Sequence, residues 1–139
     1  MLKKFRWFIS LCLMVCLIIA AVPAVAAEMR ASEQIGYSSI NVTAFNGSIK
    51  TDFSITGTSV MDKIGCGSIF IYEKSGSRWI LCADFSENDT GMSRTNFARH
   101  ANVITWACES GVEYRVDVTV FAENSAGRDT RSKTVYVTG

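Results

Sequence analysis

His100 is the one histidine in a chain of 139 residues. A side chain that exchanges a proton near neutral pH is the first place to look for chemistry. It lies in Asn96-Phe97-Ala98-Arg99-His100-Ala101. A serine nucleophile needs such a base with an ordered carboxylate behind it, but no Gly-x-Ser-x-Gly or comparable nucleophile turn occurs. Cys66 and Cys108 carry thiols that a histidine can activate, and nothing in the spacing brings either one to His100. Carboxylates for general acid–base work come from Asp84, Glu87 and Asp89, or from Glu109 and Glu113. These fall in polar loops and on the wet side of a strand, where acids are solvated. The same loop oxygens, with Asn88, suit calcium by type but not by spacing, and the cysteines match no zinc pattern. The reading is a protein that is not an enzyme, with no catalytic residue, no cofactor and no metal.

The first residues explain where such a chain works. Lys3, Lys4 and Arg6 form a cationic start, and Ile9 to Ile19 is almost wholly apolar. Pro23 and the small residues Ala24-Val25-Ala26-Ala27 follow, as a signal peptidase requires. The apolar run is also long enough for a retained anchor; the small-x-small site and the polar sequence after it favour cleavage. The expected organisation is a signal peptide over 1–27, a polar leader over 28–36 and a β-sandwich domain over 37–139. The protein is expected to be secreted, touching a membrane only transiently through the signal. Loss of Lys3, Lys4 and Arg6 takes the net charge from +1 to −2, with no basic face for nucleic acid. Of five cysteines, Cys12 and Cys16 leave with the signal. Cys66, Cys82 and Cys108 remain, so at most one intramolecular bridge can form.

Beyond the leader, the apolar period is two. Ile40, Val42 and Ala44 alternate with polar residues, Asn46-Gly47 suits a type I′ turn, and Ile49 to Thr56 alternates again. Pairing Phe45 with Ser48 sets Ala44 opposite Ile49, Val42 opposite Thr51 and Ile40 opposite Phe53. The apolar sets of both strands then share one side, and a one-residue slip would destroy that agreement. A second hairpin runs from Ser68 to Glu73 and from Arg78 to Ala83, closed around Ser75-Gly76, so that Tyr72 pairs with Trp79 and Ile69 with Cys82. In that register Cys66 falls on the Phe70 and Tyr72 side, which disfavours a Cys66–Cys82 bridge; any bridge is expected to involve Cys108. A polar stretch from Ser86 to Asn96 precedes a strand over 101–108. Val112 to Val120 alternates without a fault, and Thr130 to Thr138 gives the last strand. These readings predict seven short strands, no helix after the signal, and an all-β, seven-stranded antiparallel sandwich.

The closing segment resembles a family. Gly111-Val-Glu-Tyr114-Arg-Val116-Asp-Val118-Thr-Val120-Phe-Ala122-Glu-Asn124-Ser-Ala-Gly127, ending at Ser132, is similar to the last strands of a fibronectin type III module. The resemblance implies an immunoglobulin-like sandwich, with Tyr114 at the family's tyrosine corner and Cys108, where the family carries leucine, buried. Phe53 and Ile55 stand where that family has a tryptophan. The layout as a whole also resembles small exported proteins of Gram-positive bacteria.

With catalysis set aside, surfaces remain. The central hairpin is apolar on both sides, with Phe70, Tyr72, Trp79 and Leu81 on one and Ile69, Ile71, Ile80 and Cys82 on the other. Only one side of such a sheet can face the core, and an outward apolar patch on a small domain marks an interface. The expected function is an extracellular binding module for a protein or glycan, with Tyr72 and Trp79 as the binding residues. A second copy of the chain is a further candidate partner. The alternative is a diffusible secreted effector, such as a bacteriocin-like peptide or an inhibitor.

Overall fold

Asn46 and Gly47 adopt φ of 50° and 73°, the paired positive values of a type I′ turn. They join β1 (Ile35–Phe45) to β2 (Ser48–Ser75) in a computed structural model that describes residues 33–139. The expected signal peptide lies outside the described residues, as does most of the expected leader. The first ladder sets Phe45 opposite Ser48, Ala44 opposite Ile49, Val42 opposite Thr51 and Ile40 opposite Phe53, the register that the alternation predicts. Val42, Ile49, Thr51 and Phe53 are buried, while Asn41, Thr43, Lys50 and Asp52 are exposed.

Four further strands follow: β3 (Arg78–Ser86), β4 (Ser93–Ala107), β5 (Glu113–Asn124) and β6 (Gly127–Thr138). All pairings are antiparallel. The described residues thus hold six strands rather than seven, because the segments expected as separate strands around 49–56 and 68–73 are one strand of 28 residues. The first part of β2 lies between β1 and β4, and its last part between β3 and β5, with β6 beyond β5. One strand serving both halves produces a six-stranded antiparallel sheet curled into a half-barrel.

Glycine makes the bend. Gly57, Gly65 and Gly67 lie along β2, where they mark register shifts and close approaches of neighbouring atoms. Gly65 has φ 154°, and a Cβ there would collide with the Met92 carbonyl oxygen and the Ser93 Cα. At Gly67 the β2–β5 register shifts between Cys66 and Ser68. That shift changes the inward parity from even positions (Ile64, Cys66) to odd ones (Ile69, Ile71), all of them buried. Cys66 is therefore a core side chain and not on the Phe70 and Tyr72 side.

The second hairpin also departs from its predicted register. Ser75 pairs with Arg78, Lys74 with Trp79 and Tyr72 with Leu81; a bulge at Cys82 then sets Ile71 opposite Ala83 and Ile69 opposite Phe85. The two turn residues are Gly76 and Ser77, with Gly76 supplying positive φ (63°) at the first of them. Ala83 and Phe85, in place of Ile80 and Cys82, pack against the core. The polar stretch after Ser86 is shorter than predicted, since β4 starts at Ser93 and its first residues already pair with β2.

Tyr114, Val116, Val118 and Val120 of β5 are buried and share the core with Ile64, Ile69, Ile71, Ile49, Phe53 and Ile55. Each such side chain contributes about 1.5–3 kcal/mol by leaving water. Tyr114 meets Trp106 edge-on at 5.7 Å, and its hydroxyl accepts the Glu109 N–H at 2.9 Å. This tyrosine-to-upstream-backbone bond ties the 108–112 connection to β5. Cys108 is half-buried beside it, and Cys66, Cys82 and Cys108 are all free thiols.

Candidate ligand-binding face

The outward side of the β3-β2-β5-β6 part of the sheet is set by strand parity, with Val116 and Val118 turned inward and Glu113, Arg115 and Asp117 turned out. The ladders then align side chains across strands. Leu81 lies opposite Tyr72, Tyr72 opposite Arg115, and Arg115 opposite Tyr136. In the adjoining row Trp79 lies opposite Lys74, and Lys74 Nζ reaches Glu113 Oε2 at 2.8 Å.

Arg115 is the centre of this face. Its Cζ lies 4.1 Å from the Tyr72 ring centroid and 5.7 Å from that of Trp79, so the guanidinium is flanked by aromatic π-systems. Trp79 and Tyr136 stand on β3 and β6, the outermost of the four strands. Strands about 4.8 Å apart put those two backbones roughly 14 Å from one another. Their ring centroids nonetheless lie 5.6 Å apart, tilted at 54°, so the two side chains reach toward each other across the intervening strands. Beneath them Arg115 Nε is buried and has no hydrogen-bond partner. Among the described residues the carboxylate paired with the guanidinium is Asp117, 3.4 Å from Nη2, beyond the 2.7–2.9 Å of a strong charge-assisted bond. The other Asp117 oxygen accepts the Thr134 hydroxyl at 2.8 Å. The rim is open: Tyr136 is 65% and Leu81 49% exposed.

Tyr72 and Trp79, the residues singled out from sequence, are thus brought together around Arg115. Arg115 and Tyr136 were not singled out. Each had a signal in its alternation, Arg115 between Tyr114 and Val116 and Tyr136 between Val135 and Val137, but only the strand order shows that they meet Tyr72 and Trp79.

The other chemically suggestive residues do structural work. His100 is buried, and its Nε2 donates to the Gly91 carbonyl at 2.7 Å, which Asn102 Nδ2 also reaches at 2.9 Å. A carbonyl only accepts, so the ring carries its proton on Nε2 in this contact. His100 holds the 87–92 loop and packs against Phe53 at 5.6 Å. In the same loop Asp89 Oδ2 accepts the Ser86 N–H at 2.7 Å. Glu87 bonds Lys63 at 2.7 Å and Arg128 at 3.1 Å. The hydrogen bond from Lys63, with help from Arg128, holds the Glu87 carboxyl below its ordinary pKa. Arg128 lies 3.7 Å above the buried Phe121 ring, so this charged cluster covers the outward side of β5 at the end remote from Arg115. Cys66 Sγ donates to the Ser68 and Thr119 carbonyls, and burial pushes its thiol pKa up to about 12. Among the described residues no group of three or more His, Cys, Asp or Glu side chains is placed to hold a metal ion.

No family model matches the sequence, and no curated protein matches it. Among solved structures the chain is similar to Spo0M, a sporulation control protein from Bacillus subtilis. That likeness has a TM-score of 0.41 and 12% identity over 76% of this chain, which spans 51% of that protein. No residue role is carried over from it.

Proposed function

We propose that the chain is a secreted, non-catalytic binding module whose ligand-contacting surface is the outward face formed by Tyr72, Trp79, Arg115 and Tyr136. The observation that carries the reading is the guanidinium of Arg115, held between aromatic rings with a buried N–H that no described residue satisfies. Native proteins satisfy nearly all buried donors, so an unsatisfied one is a departure that asks for a partner. The remainder of the face suits an extracellular glycan best. Aromatic rings stack on the C–H faces of sugars, and Lys74, Glu113, Asp117 and Thr134 supply hydroxyl-bonding groups around them. In this reading the closing hairpin is fibronectin type III-like, on the strength of the Gly111–Ser132 pattern and the Tyr114–Glu109 bond, and the module leaves the cell through the signal peptide read over 1–27.

The test is depletion of the purified 28–139 protein by insoluble polysaccharides and cell-wall preparations. Trp79→Ala and Tyr136→Ala are compared with the parent, and circular dichroism verifies the fold of each. The expected result is a loss of retention of about fivefold or more in either variant, given a cost above about 1 kcal/mol for an aromatic that anchors a binding face. Retention that is unchanged in both variants sinks this assignment of the surface.

A further inference from the structure

We infer that the ligand is an acidic saccharide, and that a carboxylate on its sugar ring docks on Arg115 while the ring stacks on Trp79 and Tyr136. The inference rests on the proposed glycan-binding role of this face and adds the ligand's charge. A guanidinium presents five N–H donors in a planar fork that matches a carboxylate, and the Arg115 Nε–H finds no partner among the described residues. Its contact with Asp117 is a single ion pair at 3.4 Å through one nitrogen. Asp117 is already committed to Thr134, and Lys74, the other cation here, is neutralised by Glu113 at 2.8 Å. Arg115 is therefore the one cation of this face whose bonding capacity is largely unused.

The surroundings favour a carboxylate over a neutral hydroxyl. Tyr72 and Trp79 exclude water from the guanidinium, and a hydrogen bond between charged groups strengthens as water is excluded. About a quarter of the Arg115 side chain remains accessible (26%), so a ligand can reach it. The aromatic rim fixes the other half of the ligand. A pyranose chair with one carboxylate substituent, as in a hexuronic acid, offers a C–H face to the aromatic rim and an anion to Arg115 at once.

The experiment separates charge from stacking. The 28–139 protein is titrated by calorimetry with oligomers of polygalacturonate and of hyaluronan, and with the same oligomers fully methyl-esterified. Esterification keeps the sugar faces and removes the charge. The expected result is that at least one acid binds about tenfold or more tighter than its ester, as a bond to a charged group allows. Arg115→Gln, which removes the charge, is expected to bring the acid down to the affinity of the ester, while Trp79→Ala weakens both. Added salt is expected to weaken the acid alone. Equal binding of acid and ester, both lost in Trp79→Ala, overturns the inference and leaves the glycan-binding face standing. Failure of every oligomer to bind overturns the inference, and binding indifferent to Trp79→Ala overturns both. A short peptide with a free C-terminal carboxylate that competes as well as the oligouronate overturns the saccharide assignment.

Discussion

Replacing Gly65 by alanine tests whether β2 is one strand bent by close approach. Two costs follow from the geometry. The backbone sits at φ 154°, a region essentially reserved for glycine, which costs a side-chain-bearing residue about 1–3 kcal/mol. The new methyl would also meet backbone, the Met92 carbonyl oxygen and the Ser93 Cα, and backbone cannot rotate away. Relief requires the start of β4 to retreat. That retreat breaks the 2.7 Å bond from Cys66 N–H to the Met92 carbonyl, about 1 kcal/mol, and loosens Met92, which is fully buried. These two terms sum to about 2–4 kcal/mol, a large share of the 5–15 kcal/mol that holds a domain together. For a domain near 100 residues this lowers Tm by roughly 8–32 °C. Gly76→Ala is the control. Its φ is 63° but nothing lies within 4 Å of the added carbon, so only the conformational cost of about 1–2 kcal/mol applies. Thermal unfolding followed by circular dichroism reads both. A Gly65→Ala protein within about 4 °C of the parent, or no worse than Gly76→Ala, refutes the close-approach account of the bend.

Two further predictions concern titratable groups. Cys66 is expected to resist iodoacetamide at pH 8 in the folded protein, since burial holds its thiol near 12, while the exposed Cys82 is alkylated first; peptide mass mapping before and after denaturation reads the order. Glu87 has its folded pKa below the ordinary value of 4.5, so its contribution to stability is fully present above that value and is lost as pH falls through the folded pKa. Tm is therefore expected to fall on acidification below about pH 4.5, and to fall less steeply in Glu87→Gln; identical acid slopes in the two proteins would remove Glu87 from that account.

Legibility differed between the two hairpins for a physical reason. In the first, one side is polar, so any slip would bury Lys50 or Asp52, and Asn46-Gly47 fixes the turn; alternation alone gives the register. In the second, both sides are apolar, so a shifted pairing meets no penalty visible in the sequence. Lys74-Ser75-Gly76-Ser77 also accepts more than one turn frame, and the bulge at Cys82 leaves no mark on composition. The same limit applies to Gly57, Gly65 and Gly67. A glycine that breaks a strand and one that lets a neighbouring backbone approach look alike until the neighbour is known.

For the candidate face, Tyr72 and Trp79 share a side in the predicted frame and in the one that forms, because the two frames differ by two positions; a one-residue shift would have separated them. Arg115 and Tyr136 join them only because β5 lies against the end of β2 and β6 lies against β5. The sequence determined what is local: the period of two, the first turn, the buried stripe of β5 and the outward position of each polar partner. These follow from backbone geometry within a few residues. The tertiary structure decided which strands are neighbours, where β2 bends and which side chains meet across four strands. Those outcomes depend on packing between residues tens of positions apart, to which the local pattern of either segment is indifferent.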